Sequence, residues 1–103
     1  MAWCAYVAAQ EGDRGIALAR YIRLDGEDGV AEFALTVVDA FQGQGVGNEL
    51  LKRLIETARD NRIAILRGYI LPSNRPMLNL CEKRGAVVRR EDSSSLVAEI
   101  LLT

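Results

Sequence analysis

The chain has 103 residues, half of them hydrophobic, with 13 basic and 14 acidic side chains and a formal net charge of -1. That length supports one domain around one core, and with no basic run the electrostatic footprint of a nucleic-acid binder is missing. There is no histidine, and Cys4 and Cys81 lack metal-ligand spacing, so neither a zinc site nor a histidine-based triad can be assembled.

"AWCAYVAA", residues 2–9, is rich in aromatic and small apolar side chains and predicts a strand, followed by the turn "QEGDRG" at residues 10–15. "IALARYIRL", residues 16–24, alternates with Ile16, Leu18 and Ile22 on one side and Tyr21 and Arg23 on the other, the second strand of a hairpin. "DGEDG" is another turn. "VAEFALTVV", residues 30–38, predicts a third strand with Phe33, Leu35 and Val37 on one face and Glu32, Thr36 and Val38 on the other. From Val46 the period changes: Val46, Leu50, Leu51, Leu54, Ile55 and Ala58 form a helical stripe, and "DNR" ends it. "IAILRGYIL", residues 63–71, is a strand. Ser73 or Asn74 can cap a short helix with Pro76 in its first turn, Met77, Leu80 and Cys81 on its inner face, and Gly85 at its C-terminal end. "AVVRRE" and "SLVAEILL" close the chain as a hairpin through "DSSS". The order β-β-β-α-β-α-β-β predicts a single α+β domain over residues 1–103: a mostly antiparallel sheet covered by two helices, with the middle strand–helix–strand unit pairing in parallel. No apolar run approaches the roughly 20 residues of a bilayer span and no signal peptide is evident, so a cytoplasmic protein with reduced thiols and no membrane or nucleic-acid partner is expected.

The most informative stretch is Gln42-Gly43-Gln44-Gly45-Val46-Gly47, between a strand and a helix. Backbone N–H groups there can converge on one concavity, and the helix adds its positive dipole end. Without Cβ atoms the glycines let a phosphate approach the main chain, so the segment reads as an anion site, best suited to a pyrophosphate. A P-loop is disfavoured because Asn48 and Glu49, not Lys-Ser/Thr, follow Gly47. A dinucleotide fingerprint is excluded because Asn48 holds the place of the third glycine and the acidic residue about 20 positions on is missing. A tight strand–helix turn that binds nothing is the plain alternative.

Gln42, Gly45 and Gly47, directly after "LTVV" and before an apolar helix, resemble motif A (Q-x-x-G-x-G) of the GNAT N-acetyltransferase superfamily. "ILPSNRPMLNLCEKRGA", residues 70–86, resembles its motif B, so the likeness covers about residues 30–86 in the right order. "RYIRLDGEDGVAEFAL" has the cast of the acetyltransferase domain of bacterial protein-lysine acetyltransferases. The resemblance implies acetyl-CoA as co-substrate in an opening between two splayed parallel strands, and no metal. It places the pyrophosphate on the amides of residues 42–47, and the pantetheine arm on the backbone of Val37 and Val38, with Asn74 and Met77 along the other wall. The implied reaction is direct attack of a primary amine, a protein lysine among the candidates, on the thioester. Glu32 then serves as base and the Val38 amide as oxyanion donor. Cys81 stands where many members carry an acid tyrosine. The family's usual N-terminal strand and wall helices have no counterpart here. The alternative is an acyl-CoA-binding regulatory domain without turnover. For each residue there is a plainer role: Asn74 as helix cap, Met77 and Cys81 as core, Glu32 paired with Arg20 or Arg67. The edge "WCAYV", with Trp3 and Tyr6, makes a homodimer a further expectation.

Overall fold

Alternation and turn chemistry produce six strands and two helices in the computed structural model, which describes residues 4–11, 14–38 and 45–102. The strands are β1 (Cys4–Glu11), β2 (Arg14–Arg23), β3 (Val30–Val37), β4 (Ile65–Ile70), β5 (Val87–Arg90) and β6 (Leu96–Leu101); the helices are α1 (Val46–Asp60) and α2 (Arg75–Lys83). They form one sheet in the order β1-β2-β3-β4-β6-β5. Every pairing is antiparallel except β3 with β4, the two strands joined through α1. This is the mixed, mostly antiparallel sheet with two helices that the element order predicts.

The β1–β2 ladder runs further than composition suggests. It reaches Glu11 and Arg14, inside the expected turn, with a register shift between Ala9 and Gln10. Backbone pairing does not need apolar side chains, so a polar segment can extend a ladder that its neighbours have already aligned.

Both helices lie on one face of the sheet. Leu50, Leu51, Leu54, Ile55 and Ala58 of α1 bury against Ala17, Ala19 and Tyr21 of β2, Ala31 and Phe33 of β3, and Leu66 of β4. Three alanines in the sheet let the large side chains of the helix come close, and each fully buried leucine is worth about 1.5–3 kcal/mol. Tyr21 is 2% exposed, with its hydroxyl accepting a hydrogen bond from Nδ2 of Asn61 at 2.9 Å, so the polar end of the ring is satisfied at the C-cap of α1. In α2 the buried residues are Leu78 and Cys81, while Met77 and Leu80 pack on the core half-buried. The inner face is therefore turned one position from the expected Met77–Leu80–Cys81 stripe, because Leu78 points at the sheet.

Gly68 of β4 makes room for the Phe33 ring: a Cβ there falls 2.7 Å from Cε1 and Cζ of Phe33. Gly68→Ala is accordingly expected to destabilise the fold by about 1–3 kcal/mol. The check is denaturant unfolding; an unchanged midpoint would mean that the ring has another place to go.

Candidate functional site

β3 and β4 pair at only three positions, Val30↔Ile65, Ala31↔Leu66 and Glu32↔Arg67. Beyond Glu32 the strands separate and leave a gap that opens toward the start of α1. The antiparallel register fixes which backbone groups face it. The Val38 N–H donates to the Ile16 carbonyl at 2.8 Å, and the Leu24 N–H donates to that of Val30 at 3.0 Å. Even-numbered residues of β3 therefore turn their N–H and C=O toward β2, and Leu35 and Val37 turn theirs toward the gap. This corrects the expectation for Val38, whose amide is spent inside the sheet and cannot serve an oxyanion. Leu35 is the residue that the sequence reading missed. Periodicity tells the face of a side chain; only the register tells the edge to which its N–H points.

At the far end of the gap stands the N-terminus of α1. Gly45 is its N-cap, with φ +82° and ψ 0°, a left-handed conformation that suits glycine. Its carbonyl accepts from the Glu49 N–H at 3.0 Å, so the helix is already hydrogen-bonded there. Among the described residues no side chain caps it, and no acceptor meets the N–H groups of Val46, Gly47 and Asn48. Uncapped first-turn donors at the positive end of a helix dipole make an anion site. Arg84, just past α2, donates to Oδ1 of Asn48 from Nη2 at 2.7 Å and from Nε at 3.2 Å, which sets a cation beside this turn and offsets the exposed Glu49. Gly47 is not demanded by packing: a Cβ there would lie at ordinary contact distance, 3.4–3.6 Å, from Val37, Leu80 and Leu35. Gln42, Gly43 and Gln44, the rest of the expected anion loop, lie outside the described residues, as does Trp3.

Asn74 caps α2. Its Oδ1 accepts from the Met77 N–H at 3.3 Å, which occupies one side-chain oxygen site and leaves the amide NH2 available. A groove of about 490 Å³ runs along α2 between Pro76, Asn79, Leu80, Glu82 and Lys83. Cys81 is fully buried, and burial, with Glu82 adding to it, pushes its thiol up to about 11. A thiol sealed in the core has no route to a leaving group at the surface, so the geometry does not support the acid role.

Glu32 is exposed on the opposite, helix-free face of the sheet, at the pair where the gap begins. Among the described residues its carboxylate has no hydrogen-bond or ion-pair partner, so the plainer role, a pairing with Arg20 or Arg67, does not occur. Arg67 binds Glu99 instead (Nε to Oε2, 2.8 Å) and Glu27 (Nη1 to Oε2, 3.2 Å), and Arg89 completes the group on Glu99 at 2.7 Å. Hydrogen bonds from Arg67 and Arg89 hold the Glu99 carboxyl below the usual carboxylate range. The same face carries the exposed apolar side chains Leu18, Val38, Tyr69, Leu71, Val87 and Leu101.

Residues 2–86 match the family described as Acetyltransferase (GNAT) family. The chain is 34% identical over 85 residues to Acetyltransferase Pat of Mycolicibacterium smegmatis, covering 82% of this chain and 26% of that protein. It is 32% identical over 104 residues to an acetyltransferase of Pseudomonas aeruginosa, covering 99% of this chain and 55% of that one. The crystal structure of the GNAT domain of the S. lividans PAT protein superposes with a TM-score of 0.88 at 29% identity, covering 96% of this chain and 61% of that one. The chain thus spans a quarter to about three-fifths of the length of these relatives. With the family match over most of its residues, the splayed parallel pair and the uncapped helix start behind it, this chain belongs to the acetyltransferase (GNAT) family.

Proposed function

We propose that this chain binds acetyl-CoA and transfers the acetyl group to a primary amine, with a protein lysine among the acceptors, as the resemblance to the bacterial protein-lysine acetyltransferases implies. The observation that carries the reading is the gap between β3 and β4, which begins at Glu32 and ends at the N–H groups of Val46, Gly47 and Asn48, which meet no acceptor among the described residues. In this reading the pyrophosphate sits on those donors together with residues 42–45. The pantetheine arm lies along β3 past Val37 with an amide toward Leu35, as an added strand does, with Asn74 and Met77 on the opposite wall. The edge from Glu32 to Val37 is about 16 Å long, which suits an extended arm.

The acetyl carbonyl then lies near the closed end of the gap, beside Glu32. The amine nitrogen attacks the carbonyl carbon and the oxygen becomes an oxyanion, for which the Leu35 N–H replaces Val38 as the proposed donor. The C–S bond breaks and the CoA thiolate leaves. Glu32 takes the proton that the amine must lose, and the thiolate, with Cys81 sealed away, takes its proton from water.

The buried Cys81 is also the observation that favours the second reading, an acyl-CoA-binding domain without turnover. One experiment separates the two. The chain is incubated with acetyl-CoA and a lysine-containing peptide, and the peptide mass is followed. A gain of one acetyl group that depends on the chain supports transfer. Acetyl-CoA binding with no mass gain on any amine offered sinks the enzyme reading and leaves the binding one.

A further inference from the structure

On the helix-free face one row of side chains crosses the sheet: Ile22 of β2, Glu32 of β3, Arg67 of β4, Glu99 of β6 and Val87 of β5, each facing the next in register. Side chains directly opposite one another on neighbouring strands are within reach. Arg67 thus stands between two carboxylates, Glu32 on one side and Glu99 on the other, and among the described residues its side chain bonds Glu99 and the turn residue Glu27. Its side chain is 17% exposed and that of Glu99 20%, so the cation is held in a half-buried place by two acids, and Arg89 holds Glu99 from behind. Two cations and two anions leave the cluster neutral. The other groups facing Glu32 are Arg20 and Tyr69, diagonal to it on β2 and β4.

We infer that Glu27 and Glu99 are positioning residues that clamp Arg67: the clamp keeps the guanidinium off Glu32 and leaves the Glu32 carboxylate open to the incoming amine. The inference rests on the proposed role of Glu32 as base. An arginine is always charged and prefers bidentate contact with a carboxylate. Deprived of both acids, Arg67 has one carboxylate left directly across from it, and that carboxylate is Glu32.

The double variant Glu27→Gln/Glu99→Gln tests this, and the triple variant that adds Arg67→Gln controls for it. The double variant is expected to lose about tenfold in kcat, a part of the 10²–10⁴-fold that a general base contributes, with KM for acetyl-CoA unchanged. The triple variant is expected to recover to within about twofold of the original chain. A cluster that only braces the sheet gives the opposite order, with the triple variant at least as impaired as the double. Either that order or an unimpaired double variant overturns the inference. A crystal structure of the double variant reads it without turnover. The guanidinium of Arg67 is expected within the roughly 4 Å ion-pair distance of Glu32, and an Arg67 that stays away from Glu32 overturns the inference whether or not the chain transfers acetyl groups. A chain that shows this contact but acetylates nothing fails the enzyme reading alone.

Discussion

Glu32→Gln is expected to lower kcat for acetyl transfer by about 10²–10³-fold while acetyl-CoA binds as before. Glutamine has the same shape, and Glu32 is exposed with no partner among the described residues, so the fold loses no contact and stability should move by less than about 0.5 kcal/mol. What is lost is the carboxylate at the mouth of the gap. Steady-state kinetics alongside titration with acetyl-CoA gives the check. Full turnover in the variant means that the proton leaves by another route, through water or another acid. A fall in both kcat and affinity means that Glu32 helps to hold the ligand.

Gly45→Val should have the second large effect, and on the other half of the reaction. Gly45 sits at φ +82°, where a β-branched residue is strained, yet a Cβ there meets nothing within 4 Å. The cost is therefore backbone strain of about 1–2 kcal/mol, relieved by twisting the first turn of α1 and scattering the N–H groups of Val46, Gly47 and Asn48. Acetyl-CoA affinity is expected to fall by more than tenfold, with near-native circular dichroism. Gly47→Ala is the contrast: its Cβ makes ordinary contacts at 3.4–3.6 Å with Val37, Leu80 and Leu35, so it should fold as the original does. If Gly45→Val keeps full affinity, the helix start is not where the anion binds.

How far the sequence reaches can be seen from these same residues. The α1 stripe was legible because a period of 3.6 with five large side chains has no competing pattern, and every expected core position in it from Leu50 to Ala58 is buried. The parallel β3–β4 pair followed from the strand–helix–strand order. Asn74 as a cap and Gly85 at positive φ (+84°) followed from local chemistry. What stayed hidden were pair properties. That Arg67 turns to Glu99 and not to Glu32 depends on β6 entering the sheet between β4 and β5, which no local signal announces. That Val38 spends its amide on Ile16 depends on a register shared by two strands. The room that Gly68 leaves for the Phe33 ring is likewise a property of two strands together. Cys81 could be an acid, as the family resemblance implied, or core, as its helix face suggested; burial decides for core.

The central claim is that the gap between β3 and β4 and the uncapped start of α1 form one acetyl-CoA site. Isothermal titration of the purified chain with acetyl-CoA, and with pantetheine lacking the nucleotide and pyrophosphate, tests it most directly. The account predicts micromolar binding of acetyl-CoA, at least tenfold weaker binding of pantetheine, and loss of that difference in Gly45→Val. No binding of acetyl-CoA, or equal affinity for both ligands, would contradict it.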